Sequence, residues 1–303
     1  MSSTHLMADT ATSSSGLLIR RITPADLARA LASGWDDFDA MPSHAVFLCL
    51  IYPLLGLGLV LLCAGYSMLP LVFPLAAGFA LIGPFAAVGL YELSRRREAG
   101  LDTNPIHVFD VLRSPSIGAI LALGLLLTAI FVVWLVVAEA IYVANFGYGA
   151  PTSIPQFVKD VFTTPAGWTL IVVGTGVGFL FAVAAFMIGA VSFPLLLDRD
   201  VGSAVALWTS IRVVVANPLT MALWGFIVAA LLVLGSLPFF LGLTVVMPLL
   251  GHATWHLYRR AVDSAGAPRA EIQPNLIVRP RRSAADFPAA LFPTPRDINF
   301  GGG

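Results

Sequence analysis

A chain of 303 residues that is 58% hydrophobic and only 11% charged, with a mean hydropathy of +0.87, has more apolar surface than a water-soluble core can absorb; soluble domains carry about 25% charged residues. Seventeen basic and 17 acidic residues balance, which excludes a global pull toward nucleic acid or another polyanion. The two cysteines, Cys49 and Cys63, both lie in one apolar run; they exclude a disulfide-stapled secreted scaffold and read as small buried apolar residues.

Residues 1–16 are rich in Ser, Thr and Ala and lack the apolar stretch of a secretory signal peptide. Residues 1–18 are expected to be a disordered leader. Thr23-Pro24-Ala25-Asp26 then opens a helix: Thr23 caps, Pro24 fits the first turn and Asp26 completes a capping box. That helix, 25–33, runs into Gly34 and the segment 35–38.

Six apolar runs follow, at 46–65, 71–93, 117–142, 168–197, 219–235 and 238–257. Most are near the roughly 20 residues that cross a hydrocarbon core of about 30 Å. The third and fourth are longer and must tilt, kink or project from the membrane. Gly174-Thr175-Gly176-Val177-Gly178 and Phe193-Pro194 are the expected kink points. Read as one helix, 219–257 would be about 60 Å long, so Gly235-Ser236-Leu237-Pro238 is expected to turn the chain.

Six spans put Arg20, Arg21, Arg29, Arg95, Arg96, Arg97, Arg113, Arg199, Arg212, Arg259 and Arg260 on one side and leave Lys159, the sole lysine, on the other. The positive-inside rule makes the arginine side cytoplasmic, with both termini there. The expected fold is all-α: six transmembrane helices as three hairpins within 19–262, and a disordered Pro/Arg-rich tail over 263–303.

Each odd-numbered span follows a proline: Met41-Pro42, Ser114-Pro115, Asn217-Pro218. Four and seven residues before it stand apolar residues: Phe38 and Trp35, Val111 and Val108, Val214 and Ile211. That spacing makes one apolar face, so each hairpin is expected to follow a short helix lying in the interface. Tyr91-Glu92-Leu93-Ser94-Arg95-Arg96 and Trp255-His256-Leu257-Tyr258-Arg259-Arg260 both place an aromatic residue before an arginine pair. Trp35, Arg95, Arg96, Trp255, Arg259 and Arg260 are the expected interfacial anchors. The outward loop 145–165, with Tyr148, Pro151, Pro155 and Phe157, is amphipathic; it is a connector, or a surface that lies on the membrane or meets a partner.

Several stretches carry a family resemblance. They are Arg21-Ile22-Thr23-Pro24-Ala25-Asp26-Leu27, Asp37-Phe38, Ile51-Tyr52-Pro53, Phe73-Pro74-Leu75, Gly78 through Pro84, Tyr91 through Glu98, Phe193-Pro194-Leu195-Leu196-Leu197-Asp198-Arg199 and His252-Ala253-Thr254-Trp255-His256. Over 19–260 the chain resembles a family of bacterial integral membrane proteins known as domain of unknown function 2189. The resemblance implies a membrane location but no activity. Some members are labelled as cytochrome c oxidase components.

The catalytic subunit that label suggests needs roughly six or more histidine ligands within the membrane. This chain has five histidines, so only an accessory place beside such an enzyme stays open. His252 and His256 are one helical turn apart, a spacing that can bind metal with help from His44 or Glu92; the other reading is interfacial histidines. Glu139 is the one carboxylate well inside an apolar run, either functional or in contact with water near the helix end. Asp198 and Glu92 stand beside arginines at helix ends and read as local ion pairs or caps.

The glycines of 174–178 follow no strand and read as a close-packing surface rather than a nucleotide loop. No catalytic constellation is found, and no cofactor is expected. The expected partners are the lipid bilayer and a membrane-protein partner or second copy, with no nucleic acid. Three functions follow in order: a non-catalytic accessory, assembly or scaffold protein; a small transporter; and a respiratory subunit binding haem or metal through His44, His252 and His256.

Overall fold

The computed structural model describes residues 17–41, 54, 57–58, 61, 74–75, 83–85, 87–149, 153–238, 240–264, 266–267 and 269–270. Most of the first expected span, about half of the second, both cysteines, His44, the leader to Gly16 and the tail beyond Ala270 lie outside these residues.

The described chain is mostly helical. A two-residue strand β1, Leu18–Ile19, leads into helix α1, Pro24–Ala40. The Thr23 backbone N–H and hydroxyl both donate to the Asp26 carboxylate, at 2.9 and 2.8 Å, so the capping box forms where the sequence places it. Helix α1 runs unbroken through Gly34, where the chain around Ala253 presses on it. A Cβ at Gly34 would lie 2.6 Å from the Ala253 backbone nitrogen.

Helix α2, Val88–Glu98, is followed by a 3-10 helix, Pro105–Arg113, then α3, Ile117–Phe146, and α4, Ile154–Thr163. Asn104 caps the 3-10 helix by accepting from the Ile106 N–H at 3.1 Å. Helix α4 occupies the loop that follows α3. Ser153 caps it, and Phe157 packs against Tyr142 and Phe146 at the end of α3. The chain returns as α5, Pro165–Asp198, and continues as α6, Ser203–Ala216, α7, Pro218–Ser236, and α8, Leu243–Ala261. Strand β2, Val262–Asp263, pairs antiparallel with β1, Leu18 opposite Asp263 and Ile19 opposite Val262.

Helices α3, α5 and α7 are long and apolar enough to cross a membrane. The short helices expected before the hairpins are present as α1, the 3-10 helix and α6. The sixth expected span differs: α8 begins at Leu243 rather than 238. Gly235 and Gly242 meet so closely that a Cβ on Gly242 would lie 2.7 Å from the Gly235 Cα, and Phe240 adopts a φ of 65°. Leu237, Pro238, Phe240 and Leu241 lie in the turn, so the helix starts after Pro238. The later half of α8 also carries His252, His256, Arg259 and Arg260, which makes α8 less apolar than α3, α5 and α7.

At about 1.5 Å per residue, α3 is about 45 Å long and α5 about 51 Å, well over the roughly 30 Å of a hydrocarbon core. The excess of α5 is used at one end. Val172, Phe179 and Leu180 are open to the surroundings, whereas the stretch from Gly189 to Asp198 is buried. Against that end pack α2, α6 and α8, with α1 and β2 packed in turn on α8 and β1 on α6; Leu27, Tyr91, Phe193, Leu196, Trp255 and Leu257 lie in the shared core. The fold runs on past the expected boundary at 262: Ser264, Ala267 and Ala270 are buried in it.

Candidate functional site: a buried polar layer at the arginine-rich end

On α1, Leu27, Ala30, Gly34 and Asp37 are buried. Spacings of three, four and three put them on one side of the helix. The small Ala30 and Gly34 let α8 approach, and Asp37, only 3% exposed, is carried in with them. Helix α2 brings Ser94 and Arg97; α8 brings His252 and His256 from successive turns.

These groups converge on the Asp37 carboxylate. The Ser94 hydroxyl donates to Oδ2 at 2.6 Å, His256 Nε2 stands 2.9 Å from the same oxygen, and Arg97 bonds Oδ1. His252 Nδ1 lies 2.7 Å from Ser94 Oγ and 3.9 Å from the carboxylate. Because Ser94 spends its one proton on Asp37, its oxygen is the acceptor for His252 Nδ1–H. His252 Nε2 is left buried without a partner among the described residues. Burial alone would raise the Asp37 pKa. Hydrogen bonds from His256 and Ser94, the charge of His256 and the Arg97 bond outweigh it and hold the carboxyl below its usual range.

A second cluster lies on α2. Arg95 Nη2 is 2.7 Å from Glu92 Oε2, and Arg95 Nη1 donates to the Leu197 carbonyl at 2.5 Å, neutralising the carbonyl end of α5. Arg96 Nη1 is 3.2 Å from Asp110 and 3.8 Å from Glu92, and its Nε donates to the Asp102 carbonyl at 2.8 Å. The Glu92 oxygens are held by charge rather than by well-aligned hydrogen bonds.

A third cluster closes around Asp198 at the end of α5. Its Oδ2 accepts from the Tyr258 hydroxyl at 2.7 Å, Arg199 Nε at 3.0 Å and Ser264 at 3.2 Å, with Arg259 at 3.5 Å. Glu98 accepts from Trp255 Nε1 at 2.9 Å and Arg259 Nε at 3.0 Å. Although burial works against it, the charges of Glu98 and Asp198 raise the Arg259 pKa above its usual value.

The expected site residues divide accordingly. His252, His256, Glu92 and Asp198 all lie in this layer, and His44 falls outside the described residues. Glu139 is exposed near the end of α3, away from the layer. Of the expected anchors, Trp35 is 50% exposed, but Arg95, Arg96 and Trp255 are buried. Each of these three has a polar partner on another element (Leu197, Asp110, Glu98), which draws it inward. Arg259 and Arg260 are half-buried, the latter 3.8 Å from Asp26.

Sequence reasoning missed Asp37, Ser94, Arg97, Tyr258 and Ser264. For Asp37 the signal was present: a carboxylate in register with Ala30 and Gly34 on a helix face points to a tight interface. Among the described residues no group of three or more His, Cys, Asp and Glu side chains has a geometry that could hold a metal ion.

Similarity to known proteins follows the same part of the chain. Residues 72–198 match the family described as Predicted integral membrane protein (DUF2189). The matched segment contains α2 through α5, hence Glu92, Arg95, Arg96 and Asp198, and leaves out α1 and α8, which carry Asp37 and the histidines. No curated protein and no solved structure matches the chain.

Proposed function

We propose that this is a polytopic protein of the bacterial inner membrane that acts through contacts, as an accessory, assembly or scaffold subunit, rather than through catalysis. It crosses the membrane six times as three hairpins, each preceded by an interfacial helix, and keeps both termini in the cytoplasm. The partition of arginines from Lys159 supports that orientation.

One observation carries the reading. The buried ionised groups around Asp37 and Glu92 are neutralised by partners on α1, α2 and α8, and among the described residues they close into packing. A reactive or conducting site would leave such groups facing an open cavity. His256 Nε2 bonds the Asp37 carboxylate and His252 Nδ1 bonds Ser94, so both imidazoles are tied into the layer. The result is a stiff platform at one end of an apolar bundle.

The test is purification from its native membrane in mild detergent after brief crosslinking. A stoichiometric complex with a membrane partner, or a defined homo-oligomer, is expected. A chain that is monomeric and alone under every mild condition refutes the proposal.

A further inference from the structure

We propose that a groove beside β1 and α6 binds the phosphate headgroup of an anionic glycerophospholipid. The groove has a volume of about 470 Å³, and its lining includes Ile19, Arg21, Trp208, Ile211, Arg212 and Val215.

Its position along the bundle is fixed by hydrogen bonds. Asn217, between α6 and α7, accepts from the Ile22 N–H at 2.9 Å and donates to the Arg20 carbonyl at 3.2 Å. Thr220 donates to the Ile22 carbonyl at 3.1 Å. The segment carrying Arg20 and Arg21 is thereby pinned where α7 begins. From that point α7 is an apolar helix long enough to span, with Leu219 86% exposed. The groove therefore sits at the level where hydrocarbon gives way to headgroups.

Charge then selects the ligand. Arg20 is occupied by Asp263 at 2.7 Å. Arg21 donates to the Ala216 carbonyl and meets no acid among the described residues; Arg212 is exposed and makes no ion pair or hydrogen bond among them. Two uncompensated guanidinium groups thus flank one groove, a setting suited to a phosphate. The neighbouring groove differs, because its Arg199 and Arg259 are already met by Asp198 and Glu98.

The apolar lining selects the source of the phosphate. Trp208 is 62% exposed and Val215 64% exposed, on the same face of α6 as Arg212. An indole and an aliphatic side chain beside the charges are suited to a glycerol backbone and the first acyl methylenes. A free phosphate ion would have no use for them.

The site is tested on the full-length protein by native mass spectrometry from detergent, with added phosphatidylglycerol, phosphatidylcholine or soluble glycerol phosphate. Wild type is expected to retain phosphatidylglycerol in preference to phosphatidylcholine. Removing one charge should weaken that preference about fivefold and the pair R21Q/R212Q roughly 30-fold, at the usual strength of a basic residue near an anionic surface. R113Q, at the end of the 3-10 helix where Asp110 compensates the charge, should change nothing. Quenching of indole fluorescence by brominated phosphatidylglycerol should fall in W208F.

If the double variant does not fold, R212Q alone decides, since that side chain supports nothing among the described residues. The proposal is overturned by equal retention of both lipids, by an equal loss in R113Q, or by soluble glycerol phosphate displacing the lipid, which would make this a site for free phosphate.

Discussion

Replacing Asp37 with Asn keeps the shape of the side chain and removes its charge. In the native structure Oδ2 accepts from Ser94 and His256 while Oδ1 takes Arg97. An amide offers one acceptor and one donor edge, so either Ser94 and His256 or Arg97 must face an N–H. Arg97 is 38% exposed and can turn to water, so the amide should keep its oxygen toward Ser94 and His256. What is lost is one charge-assisted bond and the field on the others, about 2–3 kcal/mol. Asp37→Ala strands all the donors and should cost about 3–5 kcal/mol, whereas Asp36→Asn, exposed on the same helix, should stay within about 0.5 kcal/mol.

The pH dependence has a definite sign. A folded-state pKa below the unfolded value of about 3.9 gives stability that is complete above that value and disappears as pH falls through the folded pKa. The gap between wild type and D37N should thus be constant near neutrality and close below about pH 4. Reversible unfolding by sodium dodecyl sulfate in mixed micelles, followed by circular dichroism, measures both. A D37N protein as stable as wild type, or a gap that persists at low pH, would show that the carboxylate is not the hub.

Gly34→Ala should destabilise by about 1–3 kcal/mol, because its Cβ meets the α8 backbone, while Gly174→Ala, which meets nothing within 4 Å, should be neutral or slightly stabilising in the same unfolding assay. Tyr258→Phe leaves the buried Asp198 short of its closest donor and should cost about 1–3 kcal/mol by the same measurement. In a background with Cys49→Ser and Cys63→Ser, Lys159→Cys should react with an impermeant maleimide in intact cells and Arg269→Cys only after permeabilisation; the reverse pattern would invert the topology.

Much of the apolar architecture could be read in advance. Helices α3, α5 and α7 are long runs whose composition admits only lipid as surroundings, and Thr23-Pro24-Asp26 specifies its cap locally. Glu92 with Arg95 and Arg96, and Asp198 with Arg199, were readable because they are close in sequence. Asp37 with His256, or Tyr258 with Asp198, could not be found that way. Those pairs exist only because α1 and α5 both dock on α8, and nothing local in either segment records the other. Arg95, Arg96 and Trp255 were placed at a free surface for a related reason: belt-and-anchor chemistry uses the same residue types as a buried polar network, and only tertiary partners distinguish them. The start of α8 was set too early because Pro238 resembles a helix start, while the decisive contact is between two glycines.

The docking of α1 on α8 has a kinetic side. His256 lies 219 positions after Asp37, so at about 5–20 residues per second a ribosome delivers it roughly 11–44 s later. Throughout that delay the nascent α1 carries an acidic, glycine-containing stripe with nothing to cover it, and the β1 edge waits longer still for its mate. Maturation must finish from the carboxyl side, after insertion is nearly complete. Chains stalled or truncated before residue 243 would keep α3, α5 and α7 yet present an unfinished polar rim to quality-control proteases.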